Sequence, residues 1–197
     1  DYYFQTSNMT FPNATTDHSR YDLFAGSLSI ERNSLDYKQY PISGRKQFLV
    51  AQYVTGTEKY MPSPITDMGS FDRKVHSWLQ MKGEWEQYKT ISPYFNLGFM
   101  SELVLSSKNL MNNYTASVLQ APAFTPTPHS QIVFNEAFRA NQYVAFGLSP
   151  ILKFSKLLHF RLDMYGFAPL YEIKKEEVWN NNTYTAIPYY GKFLHSF

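Results

Sequence analysis

The sequence predicts an all-β protein of a particular kind: an antiparallel transmembrane β-barrel, of which residues 1–197 are a fragment. Three observations predict it. Runs of roughly 10–14 residues alternate apolar and polar side chains, which puts one chemistry on each face of a strand and exceeds the usual strand length of soluble proteins. The connections between runs alternate short and long, as in outer-membrane barrels. Aromatic residues make up 18% of the chain and charged residues only 17%, yet the mean hydropathy is −0.38. Such a composition suits strands that average a lipid-facing and a water-facing side.

The best-defined run pair is Tyr143 to Leu170, in which two alternating segments meet at a turn, Ser155-Lys156-Leu157. In the second segment Leu158, Phe160, Leu162, Met164, Gly166 and Ala168 share one face, and His159, Arg161, Asp163 and Tyr165 share the other. The apolar side has no obvious helix in the chain to cover it. Upstream, Tyr21 to Arg32 places Phe24, Gly26, Leu28 and Ile30 together. Gly44 to Tyr60 alternates less clearly, with Phe48, Val50 and Val54 on a common face. His76 to Lys89 separates Leu79, Met81, Gly83 and Trp85 from Gln80, Lys82, Glu84 and Glu86; as a helix this segment would scatter its charges. Tyr94 to Leu105 sets Phe95, Leu97, Phe99, Leu103 and Leu105 against Asn96, Gly98 and Glu102. Ile187 to Phe197 starts a further strand.

Short turns are expected at Thr90–Pro93 and at Ser155–Leu157. Long connections are expected at Asn8–Arg20, Met61–Asp72, Ser106–Gln142 and the charged, Asn-rich Glu172–Thr185. The connection Ser106–Gln142 is too long to be an ordinary link. It carries the stiff stretch Ala121-Pro122-Ala123-Phe124-Thr125-Pro126-Thr127-Pro128.

Energetics assign the faces. A Lys or Arg held in lipid at mid-depth costs about 2–4 kcal/mol, so Lys82, Glu84 and Glu86 belong to the interior, with Glu102 and Asp163 as further interior acids. Leu79, Met81, Trp85, Phe95, Leu97, Phe99, Phe160, Leu162 and Met164 are then the lipid-facing set. Tyr88, Tyr94, Tyr143 and Tyr171, near strand ends, are expected in interfacial girdles.

Composition also excludes classes. There is no cysteine, hence no disulfide framework and no thiolate metal site. A net charge of +2 with no long basic run gives no case for nucleic acid. No apolar run is long enough for a transmembrane helix, and Asp1-Tyr2-Tyr3 begins no signal peptide. No cofactor or metal is expected: His159, Arg161 and Asp163 at two-residue spacing read as an interior ion pair beside one histidine. His76-Ser77 and His195-Ser196 are adjacent, so in a strand they face opposite ways and cannot form a Ser–His pair. Asn8-Met9-Thr10 and Asn13-Ala14-Thr15 match a glycosylation pattern, which would carry little meaning if the protein were bacterial. Asn180 to Asn182 reads as a solvated turn. Lys174 and Lys175, balanced by Glu176 and Glu177, read as a loop end within reach of lipopolysaccharide phosphates.

Several stretches carry a family resemblance: Asn112-Asn113-Tyr114-Thr115-Ala116-Ser117, Ala121 to Ser130, Phe138-Arg139-Ala140, and Leu158-His159-Phe160-Arg161-Leu162. Together they resemble the C-terminal barrel of Bacteroidetes patatin-like phospholipases, which is similar to the bacterial surface antigen superfamily of BamA-type assembly factors and secretion transporters. The resemblance implies a sixteen-stranded barrel in the outer membrane. It also implies that the loop before the twelfth strand dips into the lumen with an Arg-Gly pair. Phe138, Arg139 and Ala140 take that place here, with Ala140 where the family has Gly. Tyr143 would open the twelfth strand, the four upstream runs would be strands eight to eleven, and the last strands would lie beyond Phe197. Arg139 is then expected to reach Glu84, Glu86, Glu102 or Asp163.

The resemblance further implies a lipid acyl hydrolase domain ahead of the barrel. Its Gly-x-Ser-x-Gly elbow is absent from these residues, so the chain itself carries no catalytic motif. Outer-membrane lipids, lipopolysaccharide and other outer-membrane proteins are the partners implied. Two other classes stay open: an assembly or secretion barrel with no enzyme attached, and a soluble lipocalin-like ligand carrier.

Overall fold

The computed structural model describes residues 18–61, 72–155, 158–180 and 183–193. The protein is mostly antiparallel β-sheet. Its elements are β1 (His18–Asn33), β2 (Gly44–Met61), β3 (Asp72–Ser92), β4 (Phe95–Ser106), α1 (Tyr114–Leu119), β5 (Tyr143–Lys153), β6 (His159–Arg161), β7 (Met164–Pro169), β8 (Tyr171–Asn180) and β9 (Thr183–Phe193). Strands β1 to β5 pair in sequence order, and both β6 and β7 pair with β5; β8 and β9 form a second, two-stranded sheet. Among the described residues the larger sheet is open, with β1 at one edge and β6 and β7 at the other.

The alternating runs become these strands because neighbouring runs offer the same chemistry on the same side. Leu49 lies opposite Gly83, Met81 opposite Leu105, Phe99 opposite Leu148 and Leu152 opposite Phe160. A slip of one residue would exchange every apolar side chain for a polar one, so the pattern sets the register.

β6 and β7 are one strand with a gap. Lys153 faces His159 and Leu148 faces Met164 in the same register, so the gap at Leu162 and Asp163 falls opposite Pro150 and Ser149. Pro150 has no N–H to donate into the ladder. Leu162 still donates its N–H to the Pro150 carbonyl at 3.1 Å, leaving half of the usual exchange.

The sheet has a bare face and a covered face. The bare face exposes large apolar side chains over several strands, among them Leu28 (73%), Leu79 (50%), Phe146 (56%) and Phe160 (57%). The covered face takes residues 107–142, which fold back across it. One cluster packs Phe124 and Ala140 of this connection on Met100, Val104, Tyr143 and Ala145 of the sheet; another packs Met111 and Ala116 on Tyr21, Val54 and Trp78. Phe124 also stacks on Phe167, with ring centroids 5.9 Å apart. The six-residue helix α1 is far too short to be stable alone. Asn113 caps it by accepting from the Thr115 and Ala116 N–H groups, and packing on the sheet supplies the rest. Tyr88 lies over Gly98 on the covered face, where a Cβ would collide with its ring.

Several expected boundaries change. Of the expected loop Glu172–Thr185, residues 172–180 and 183–185 instead belong to a hairpin, β8 and β9, with Asn180 opposite Thr183. Mutual backbone pairing overrides the low strand propensity of Asn and charged residues. The turn expected at Thr90–Pro93 is shorter, since β3 runs through Ser92 and β4 starts at Phe95. The connection after Ser106 contains α1 and a 3₁₀ turn at Glu136–Phe138. Phe48, Val50 and Val54 do share a face, the covered one, with Phe48 opposite Glu84 and Val54 opposite Trp78. Asn8–Thr15, Lys156 and Leu157, Asn181 and Asn182, and His195-Ser196 lie outside the described residues.

Candidate functional site

The chemistry of the chain is concentrated on the covered face, in three groups along its length. In the middle, Lys46 on β2 meets Glu84 on β3 at 2.6 Å and Glu86 at 4.0 Å. Lys82 meets Glu102 on β4 at 3.0 Å, and the buried Tyr143 hydroxyl donates to the same Glu102 carboxylate at 2.5 Å. Glu84 stands directly opposite Glu102 in the ladder. Two like charges so placed repel, and Lys46 and Lys82 offset this from either side.

Toward the long connections, Glu58 is fully buried and has three kinds of donor. It accepts from the Tyr21 hydroxyl at 3.1 Å, pairs with His76 Nε2 at 2.7 Å, and accepts from the Asn112 backbone N–H at 3.2 Å. This group ties β1, β2 and β3 to the start of the folded-back connection. Lys108 is also buried. Its ammonium donates to the Gln120 carbonyl at 2.7 Å and lies 4.9 Å from the centre of the Trp78 ring. Burial pushes Lys108 down to about 7, with the Glu58 carboxylate pulling the other way.

Toward the short turns, Arg161 is the hub. Its Nε donates to Asp163 at 2.7 Å, Nη1 to the Pro41 carbonyl at 2.8 Å, and Nη2 to the Tyr88 hydroxyl at 3.2 Å and Ser149 Oγ at 3.3 Å. The guanidinium also lies against the Tyr88 and Tyr40 rings, at 5.2 and 5.6 Å. Ser149 donates in turn to Asp163, and Asn96, fully buried, donates to the Ile42 carbonyl at 2.7 Å.

The acids expected on one face are thus on one face, but Arg139 does not pair with them. Its Nη1 donates to the carbonyls of Leu119 (3.0 Å) and Ala121 (3.1 Å), and its guanidinium lies 4.8 Å from the Phe134 ring centre. Glu84, Glu102 and Asp163 already have the cations Lys46, Lys82 and Arg161. The end of α1 leaves carbonyls without helical partners, and Arg139 and Lys108 both take that role. Phe138 is exposed and meets Phe167 edge-on at 5.7 Å, while Ala140 is completely buried in the first core cluster.

The tyrosines divide differently from the expected girdles. Tyr94 and Tyr171 are exposed, whereas Tyr88 and Tyr143 are buried on the covered face, because their parity along the strand matches Glu86 and Ala145. Of the remaining candidates, His159 is exposed and Arg161 and Asp163 are an ion pair. His76 faces Glu58 while Ser77 Oγ shares a hydrogen bond with Thr55 Oγ1 on the other side. Lys174 pairs with Glu172 at 3.2 Å. Among the described residues no group of three or more His, Asp or Glu is placed to hold a metal ion, and no helix is long and apolar enough to cross a membrane.

The Glu58–His76–Tyr21 group, the Lys108 perch and the bond from Arg161 to Pro41 are tertiary arrangements that sequence reasoning missed. Arg161 and Pro41 lie 120 residues apart, and no spacing rule connects them. Parity alone could have placed Glu58, since it is an even-numbered residue of β2 like Val54.

What results is a wall of strands with a charge-paired, tyrosine-rich side filled by its own connection and an apolar side left open. No family model, curated protein or solved structure matches this chain.

Proposed function

We propose that the chain is part of a transmembrane β-barrel in a bacterial outer membrane, and that the barrel anchors a patatin-like lipid acyl hydrolase whose catalytic domain precedes it. The observation that carries the membrane reading is the inverted polarity of the sheet. Leu79, Phe99, Leu103, Phe146, Phe160 and Met164 stand exposed on the bare face, while the ion pairs of Glu84, Glu86, Glu102 and Asp163 point the other way and the bare-face pairs of Asp22 with Arg20 and Lys59 sit toward the strand ends. In water the exposed face is unfavourable at about 25 cal/mol per Å² of apolar surface. In lipid it is the required surface. A soluble lipocalin-like carrier needs the reverse, an apolar interior and a polar exterior.

On this reading the short connections lie on the periplasmic side, and the long ones outside. The covered face lines the interior, which residues 107–142 fill. A closed barrel on this reading needs further strands between β1 and β7 to complete the wall. The attachment to a hydrolase rests on the residue-level resemblance of Asn112–Ser117, Ala121–Ser130 and Leu158–Leu162. An assembly or secretion barrel shares the same wall and differs in what precedes it.

The deciding experiment is detergent extraction of outer membranes followed by intact mass and N-terminal sequencing of the native polypeptide. A mass well above 23.0 kDa with a Gly-x-Ser-x-Gly elbow upstream supports the hydrolase anchor. Periplasmic repeat domains upstream support the assembly or secretion barrel instead. A species of that mass in the soluble fraction overturns the membrane reading.

A further inference from the structure

We propose that residues 34–43, between β1 and β2, form a latched gate across the turn end of the covered face, with Arg161 and Asn96 as the latch. The inference rests on the barrel reading above. The gate closes the interior to small hydrophilic solutes from the side of the short turns.

Adjacent strands of a hairpin need only a few residues to connect. At the same end, β3 and β4 are joined by residues 93–94 and β5 and β6 by 154–158, whereas β1 and β2 are joined by the ten residues 34–43. The extra chain does not simply extend from its own hairpin. It reaches past β3 to β4, where Asn96 holds the Ile42 carbonyl, and on to β6, where Arg161 holds the Pro41 carbonyl. Those strands form the far part of the wall, so the connection spans the mouth that the wall encloses.

Both anchoring bonds go to main-chain carbonyls and therefore hold a backbone shape. Arg161 is oriented by Asp163, Ser149 and Tyr88, and its flat face meets Tyr40. Tyr40 has φ of 53°, in the left-handed region that a bulky residue rarely occupies. Such backbone persists where surrounding contacts hold it, and clusters at switching segments. Asp36 gives the connection an internal shape of its own, accepting from the Tyr37, Ile42 and Ser43 N–H groups. The connection can therefore swing as a unit once the two anchors release.

The absence of cysteine in this chain permits a direct test in the full-length protein, with any cysteine elsewhere replaced. Val50→Cys, on the covered face, is labelled with a membrane-impermeant maleimide applied from either side of proteoliposomes. Arg161→Ala and Tyr40→Ala, which removes the ring against Arg161 while keeping the left-handed backbone unfavourable, are each expected to speed labelling from the turn side about tenfold, with no change from the loop side. Tyr40→Ala lies off the wall and serves if Arg161→Ala fails to assemble. Separately, the pair Ile42→Cys and Asn96→Cys is expected to form a disulfide readily under a mild oxidant, and about tenfold more slowly when Arg161→Ala is added. Membrane-inserted protein whose labelling and cross-linking rates both ignore these changes overturns the gate while leaving the barrel standing. Protein that never enters the bilayer overturns the barrel and the gate together.

Discussion

The bare and covered faces of the same sheet are built from alternate residues of the same strands, yet they follow opposite rules. On β3, Leu79, Met81 and Trp85 are exposed, while Lys82, Glu84 and Glu86 between and beside them are satisfied by partners on β2 and β4. The bare face contributes through its surroundings and tolerates any apolar residue of suitable size. The covered face contributes through specific pairs, such as Lys46 with Glu84 and Lys82 with Glu102. The difference teaches where substitutions should hurt, and in which medium.

The largest effect should come from charge on the bare face. Leu103→Arg is expected to destabilise the protein in lipid by about 2–4 kcal/mol, read from urea midpoints in vesicles. Gln80→Arg, on the covered face of the neighbouring strand, should cost about 1 kcal/mol or less. Equal costs at the two positions would remove the distinction between the faces.

Next comes the removal of one covered-face partner. Glu102→Gln is expected to cost about 1–3 kcal/mol, since Lys82 and the buried Tyr143 hydroxyl both lose a charged acceptor. Adding Lys82→Met should recover part of the loss, because the uncompensated cation is then gone. A double-mutant cycle measures the coupling; simple additivity would show that the pair is not one unit.

This division was legible in the sequence because period-two alternation is a local property. Leu79 to Glu86 declares both faces without reference to the rest of the chain, and the same holds for Tyr143 to Ala168. Of the β8–β9 hairpin only the run from Ile187 was legible as a strand, which β9 contains through Phe193; the Asn and charged residues before it read as a loop until the two segments pair. The partners of the covered face were also hidden. Parity puts Glu58, His76 and Arg161 on a side, but it cannot say that Glu58 receives Asn112 from the folded-back connection, or that Arg161 reaches Pro41. Arg139 shows the limit most directly. The acids it was expected to meet share its side of the sheet, but nearer cations already occupy them, and the unpaired carbonyls of a six-residue helix lay closer.

Lys108 sharpens the comparison within the covered face, as a buried cation whose closest partners are a carbonyl and a ring rather than a carboxylate. Its ammonium is pushed down to about 7 from an ordinary value near 10.5. Between those values the unfolded chain binds more protons than the folded one, so stability rises with pH from about 7 toward 10.5. Below 7 both states are protonated and the full cost of burying the charge is present. Lys108→Met is expected to flatten this slope and to raise the urea midpoint at pH 6 by an amount worth about 1–2 kcal/mol, after the lost bond to Gln120 is allowed for. A slope that survives the substitution would assign it to another group.

The smallest effect belongs to Asp36, in the connection at the turn end. Its carboxylate is only slightly buried. Burial pushes its pKa up, but the backbone N–H groups of Ser43, Ile42 and Tyr37 outweigh this and hold it below the ordinary carboxylate range. A carboxylate depressed in the folded state contributes stability above its unfolded pKa, near 4, and loses it as the pH falls through the folded value. The exposed position keeps the contribution under about 1 kcal/mol. Asp36→Ala should therefore leave the global midpoint at pH 7 nearly unchanged while raising amide hydrogen exchange at Tyr37, Ile42 and Ser43. In the unsubstituted protein the same three amides should lose protection on acidification below pH 4. Amides of β3 and β4 should keep theirs, because their bonds lie within the ladder and do not depend on Asp36. Uniform loss across both sets would mean that the connection and the wall unfold as one body, and that the carboxylate organises nothing of its own.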